Sequence, residues 1–233
     1  MDRVTRKELK SDKFALEVQH GVEYVTGHRQ MLTRYLAIAA AVVVVIVVIY
    51  GYLGYQRGIR QEAFQSAQRI EDANVGPAQS EYQISYPTQA DKDKAAEKAW
   101  GDLAARYGNS QEGVIAQLYL GGHAADKGNL DEAAKRYQRV IEEGNANYAS
   151  LAKLALAQVY ASQGKLDDAK KLLQTVIDHP TAVVSKEQAT ITLAHIVGVT
   201  NPQAARKLLE PLRASERAQV SRAALTALSE LPK

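Results

Sequence analysis

No cysteine occurs in the 233 residues, which removes disulfides, thiolate zinc sites and cysteine nucleophiles together. The absence is compatible with an oxidising compartment and does not by itself indicate one. Aromatic residues are also few. With two Phe and one Trp, the core must be built mainly from Ala, Leu, Val and Tyr. Small side chains let helix axes approach, so an Ala-rich interior suits closely packed helices better than a sandwich. An excess of one charge sign is missing too. Residues 56–233 carry 22 Lys/Arg and 21 Asp/Glu, close to neutral, although the whole chain has a formal charge of +3. A nucleic-acid-binding domain draws much of its affinity from neutralising phosphates and shows a basic excess. No nucleic-acid partner is expected.

Catalytic and metal-binding patterns are absent as well. The histidines are His20, His28, His123, His179 and His195, and none forms an H-E-x-x-H or H-x-x-x-H pair for a helical zinc site. His179 precedes Pro180, where an imidazole at a helix end more often caps carbonyls. Gln163-Gly164-Lys165-Leu166 superficially suggests a phosphate loop. The earlier glycine is missing, however, and Leu stands where Ser or Thr would bind magnesium. There is no G-x-S-x-G elbow. The carboxylates sit beside cations in surface pairs such as Asp131/Lys135 and Glu132/Arg136. The expectation is a chain with no catalytic residue, no metal and no cofactor.

One long hydrophobic run is present. From Tyr35 to Gln56 there is no charge, and Leu36 to Tyr50 is almost purely apolar. About 20 apolar residues, rising about 1.5 Å each, match a hydrocarbon core of about 30 Å. Tyr35 at one end and Tyr50, Tyr52 and Tyr55 at the other form the aromatic belt of a spanning helix. A buried core helix would leave this segment apolar on every face with no comparable segment to surround it. A cleaved signal peptide would need a short leader and an A-x-A site. Here the leader is 34 residues and the run ends Tyr50-Gly51-Tyr52-Leu53-Gly54-Tyr55. The segment is therefore expected to remain, with the bilayer as its partner through residues 35–56.

Seven Lys/Arg precede the span and three (Arg57, Arg60, Arg69) follow within a comparable stretch, which favours a cytoplasmic N-terminus. Residues 56–233 would then lie outside the cytoplasm, in a bacterium in the periplasm beyond the inner membrane. In residues 1–34, Phe14, Val18, Val22 and Val25 recur at helical spacing. They suggest an amphipathic helix that lies on the membrane or docks on a cytoplasmic partner.

The remainder repeats itself. Gly128-Asn129-Leu130-Asp131-Glu132-Ala133 and Gly164-Lys165-Leu166-Asp167-Asp168-Ala169 are the same phrase 36 residues apart. In each, Gly allows the left-handed backbone that ends one helix. Leu fills the gap between helices, Asp can cap the second helix, and Ala is the small residue at the closest crossing. The phrase resembles the tetratricopeptide repeat, a helix–turn–helix unit of about 34 residues. Leu120-Gly121 and Leu156-Ala157 stand at its large–small pair, Tyr160 at the later aromatic position, and Tyr137 and Leu173 at the large apolar position of the second helix. Gln117 and Lys153 replace the family's usual Trp, and the extra residues are placed in Glu142–Asn147. A third unit is expected from Lys186 to Leu212, with Leu193-Ala194 as the pair, Pro202 opening its second helix and Leu208, Leu209 and Leu212 inward. Arg217–Leu231 is expected as a capping helix with Val220, Ala224, Leu225 and Leu228 on one face. Lys92–Tyr107, carrying Trp100, Leu103 and Tyr107, reads as the second helix of a degenerate leading unit. Gly58–Asp72 reads as continuing the membrane helix, and Asn74–Thr88 as a linker.

The expected fold is thus all-α, one N-terminal transmembrane helix followed by an α-solenoid of tetratricopeptide-like helix pairs. Its divisions are a cytoplasmic segment at 1–34, the span at 35–56, a juxtamembrane helix and linker at 57–90 and the repeat domain at 91–233. Stacked units line a groove with their first helices, a surface for other proteins. The whole layout is similar to that of the YfgM-like bacterial single-pass membrane proteins, an ancillary Sec translocon subunit family. That resemblance implies a scaffold working with translocon components and periplasmic chaperones. The carboxylate clamp known in this repeat class would fall on Leu118, Gly122, Gln158, Gln188 and Thr192, which hold no basic group. The remaining groove candidates are Asp126, Gln158, Ser162, Gln188 and His195, each also readable as part of a solvated helix face. Two other functions stay open. One is a coordinator of envelope assembly or division acting through complex formation. The other is self-association as a homo-oligomer, with Gly54-x-x-x-Gly58 as a close-packing motif.

Overall fold

The computed structural model describes residues 29–77 and 84–232; the expected amphipathic helix of the leader lies outside them. The chain divides between Gly58 and Ile59 into two units. Helix α1 runs Arg29–Glu71. It is long and apolar enough to cross a membrane, and none of its most apolar stretch is buried. Val43, Val44, Val47 and Val48 are each more than half exposed. In water so large an apolar surface would be strongly unfavourable, whereas in hydrocarbon it is the favourable state.

Beyond Ile59 the described residues are almost wholly helical. The C-terminal turns of α1 are followed by α2 (Gln89–Tyr107), α3 (Gln111–Asp126), α4 (Leu130–Glu143), α5 (Ala146–Ser162), α6 (Leu166–Asp178), α7 (Lys186–Gly198), α8 (Pro202–Arg213) and α9 (Ala218–Glu230). With Gly76, Pro77 and Pro87, Asn74–Thr88 has the composition of a linker. Its two ends in fact pair as short parallel strands, β1 (Asn74–Val75) and β2 (Ser85–Tyr86), which return the chain to the start of α2.

The repeated phrase makes the same turn twice. Gly128 and Gly164 both have φ of +76°. Around each, one amide bonds back across six residues (Asn129 N–H to Ala124 O, Lys165 N–H to Tyr160 O, both 2.8 Å), and the glycine amide bonds to Ala125 O or Ala161 O. This is the Schellman arrangement, which satisfies the last carbonyls of the first helix. The caps differ from the expectation. Asn129 caps α4 by accepting from the Glu132 amide, and Lys165 provides no side-chain cap for α6. Asp131 and Asp167 sit in the first turn, two residues past the cap positions Asn129 and Lys165. Asp131 instead accepts from Gln163 Nε2 at 2.8 Å, tying one turn to the next.

From α2 onward each helix packs on its chain neighbours, and α3, α5, α7 and α9 also contact one another in succession. That pattern makes a solenoid with these first helices on a shared face. The core follows the repeat. Ala133, Ala169 and Ala205 are fully buried, as are Leu156, Leu173 and Leu209. Gln117, at the family's Trp position, is buried, and its Oε1 accepts from Arg136 Nη1 at 2.8 Å, so the polar group is satisfied. The second helix of the third unit opens with Pro202 in its first turn as expected, and Asn201 is its N-cap. One capping-helix residue is corrected. Leu225 is 48% exposed, and Ala227 is buried beside Ala224. The stripe Ala224, Ala227, Leu228, Leu231 follows helical periodicity, and Leu225 lies about 100° off it.

Before the first clear unit, Ala63, Phe64, Ala67 and Ile70 of α1 pack against Ala96, Trp100, Leu103 and Ala104 of α2. The end of α1 therefore serves as first helix to α2, completing the leading pair. Phe64 meets Trp100 edge to face with ring centres 5.6 Å apart.

Candidate functional site

The candidate surface is the face shared by the first helices. In unit one it carries Leu118, Gly122 and Asp126; a shift of 36 residues places Leu154, Gln158 and Ser162 there in unit two. Asp126, Gln158, Ser162, Gln188 and His195 are all exposed, as a groove requires. The structure does not gather them at one point. Gln158 and Ser162 lie one turn apart on α5, with Ser162 Oγ donating to the Gln158 carbonyl at 3.1 Å. Gln188 lines a cavity of about 260 Å³ between α7 and α9, together with Ile191, Thr192 and Val220. His195 stands 3.8 Å from Glu230 at the far end of α9. Helix α9 is also held at its start by an Arg217–Glu187 ion pair. Accepted backbone and Arg217 hydrogen bonds keep the Glu187 carboxyl below the usual range. His179, expected to cap carbonyls, uses its backbone N–H for this, donating to Thr175 O.

Asp126 belongs to a second cavity of about 260 Å³, lined by Glu71, Leu118, Tyr119, Gly122, His123 and Asp126. Sequence reading missed most of this cluster. Glu71 Oε2 accepts from Trp100 Nε1 at 2.8 Å and lies 3.0 Å from His123 Nε2. Trp100 in turn stacks on Tyr119 at 4.2 Å, nearly parallel. The Tyr119 hydroxyl is pushed above its ordinary pKa by burial, with the carboxylates of Glu71 and Asp72 adding to the effect. Burial, then Asp126, raises that of Tyr137. Both phenols stay neutral. The one sequence signal was Trp100, the sole tryptophan, which reads as core; its partners are 29 and 19 residues away.

Among the described residues no group of three or more His, Asp and Glu could hold a metal. The face offers stacked helices, exposed amides and hydroxyls, and shallow cavities. Such a surface holds other polypeptides by shape and hydrogen bonding. Fold and face together define a repeat scaffold for protein–protein interaction, a fold that is typically non-enzymatic. A family model described as Tetratricopeptide repeat-like domain matches residues 33–189. The match takes in more than half of the chain, including the apolar part of α1, and the chain belongs to that family. No curated protein and no solved structure matches it.

Proposed function

We propose that the protein is a membrane-anchored scaffold of the bacterial inner membrane, associated with the protein translocon and with periplasmic chaperones. The observation that carries this reading is the union, in one family match, of an apolar helix exposed on all sides with helix pairs that present a polar face. The first suits a bilayer and the second a polypeptide partner. The balance of Lys and Arg about the span supports a cytoplasmic N-terminus and a periplasmic repeat domain. The layout resembles that of the YfgM-like proteins, which supports the translocon as the partner. Asp126, Gln158, Ser162, Gln188 and His195 line the proposed groove.

A photo-reactive amino acid at Gln158, activated in native membranes, tests this. Translocon subunits or periplasmic folding factors are the expected adducts. Recovery of division or peptidoglycan-synthesis proteins instead would replace the translocon with the envelope-assembly reading, and a protease-protected repeat domain in spheroplasts would reverse the orientation.

A further inference from the structure

The cavity between the end of α1 and α3 differs from the one between α7 and α9. Ser185, Gln188, Ile191, Thr192 and Val220 line the latter without any charge. The former carries two carboxylates, each the last residue of its helix: Glu71 closes α1 and Asp126 closes α3. A helix C-terminus bears about half a negative charge, so two dipole ends and two carboxylates bear on one space. His123 is the one lining residue able to carry positive charge, and it already lies against Glu71 Oε2.

The Glu71 carboxylate is preorganised. Trp100 and His123 both approach Oε2, and no donor among the described residues reaches Oε1. Leu118 and the Tyr119 ring supply an apolar wall, suited to the methylenes of a long cationic side chain. Gly122 also lines the cavity. A side chain begun there would meet only Tyr137 Oη, at 3.8 Å. Unit two has Gln158 at this place and unit three His195, so the opening is particular to unit one.

We propose that this pocket receives an arginine or lysine side chain from a bound protein partner, its charge between Glu71 Oε1 and Asp126. The proposal rests on the reading of the chain as a protein-binding scaffold and gives that scaffold a basic partner segment. Unit one selects the cation.

The test uses the full chain in detergent micelles with ¹⁵N-indole tryptophan. Trp100 is the only tryptophan, so a single indole signal reports the N–H that donates to Glu71. N-acetyl-arginine amide should shift it saturably, and the isosteric uncharged N-acetyl-citrulline amide should not. Gly122→Gln should abolish the shift with helicity unchanged. Asp126→Asn should weaken binding about threefold, as loss of a partly exposed charge does; it serves as the second variant should Gly122→Gln unfold the chain. Absence of a saturable shift with the arginine compound, an equal shift with citrulline, or an unchanged shift in folded Gly122→Gln would each overturn the proposal. Crosslinking from Gln158 is independent of this pocket. Translocon adducts without arginine binding would sink the pocket alone, and arginine binding without such adducts would sink the translocon reading alone.

Discussion

The contact between Gly121 and Tyr137 invites a quantitative test. A Cβ on Gly121 would lie 2.7 Å from Tyr137 Cε1 and 2.9 Å from Cδ1, inside any ordinary approach. The Tyr137 ring is only 6% exposed and has little room to withdraw. The other units solve the same crossing differently. Ala157 stands with Leu173, and Ala194 with Leu209. Small-with-large is thus preserved while the identities change, Gly with Tyr in one unit and Ala with Leu in the others. Gly121→Ala should overpack the crossing at a cost of about 1–3 kcal/mol, offset by about 1 kcal/mol of helix propensity. Tyr137→Leu alone should cost about 2 kcal/mol through the void it leaves. Together the two changes recreate the pairing of the later units. The double variant should therefore be more stable than the sum of the singles by about 1–2 kcal/mol. Urea unfolding of the full chain in mild detergent, followed by circular dichroism, measures all four corners of this cycle. Additivity within about 0.5 kcal/mol would refute the argument. So would a Gly121→Ala variant more stable than the parent, since propensity would then outweigh the clash.

Other perturbations have definite outcomes. Arg136→Ala strips the buried Gln117 of its donor and should cost about 1–3 kcal/mol; adding Gln117→Met should recover much of the loss in the same unfolding assay. Gly164→Ala should cost about 1–2 kcal/mol from the left-handed backbone alone, because no atom lies within 4 Å of the added Cβ; Gly164→Asn should cost less. Glu187 has a folded pKa below its unfolded value, so its stabilising effect is present above the unfolded value of about 4.3 and is lost as pH falls through the folded one. Hydrogen exchange at α9 should accelerate in that acid window, and Arg217→Gln should move the onset upward. Val45→Arg places a charge mid-span at a cost of about 2.5–3.5 kcal/mol, and alkaline carbonate should then extract a larger share of the protein.

The sequence by itself determined the helices and their repeat. A span is legible because hydrocarbon thickness imposes a length and an absence of charge on a contiguous stretch, so Tyr35–Gln56 needs no tertiary context. The glycine turns are legible for a similar reason. Left-handed backbone penalises a Cβ wherever it occurs, and Gly128 and Gly164 carry the same φ. Where a choice hung on direction or on a distant partner, sequence was insufficient. Asp131 is a good capping residue in the wrong register, and Leu225 is apolar but about 100° off the packed stripe. Only the folded chain decided these, because a side chain's aim is set by helix phase to within one residue.

The candidate surface divides in the same way. Repeat arithmetic put Asp126, Gln158, Ser162, Gln188 and His195 on exposed helix faces. It could not tell that Asp126 shares a cavity with Glu71, His123 and Tyr119 while Gln158 and Ser162 stand apart. Glu71 reaches His123 across 52 residues and Trp100 across 29. No local pattern encodes those separations; they exist because the β1–β2 pairing turns the chain back and the end of α1 completes the first helix pair. Local covalent and solvation rules wrote the helices, the long apolar stretch and the turns into the sequence. The pocket came from packing, which brings together residues whose order in the chain gives no hint of it.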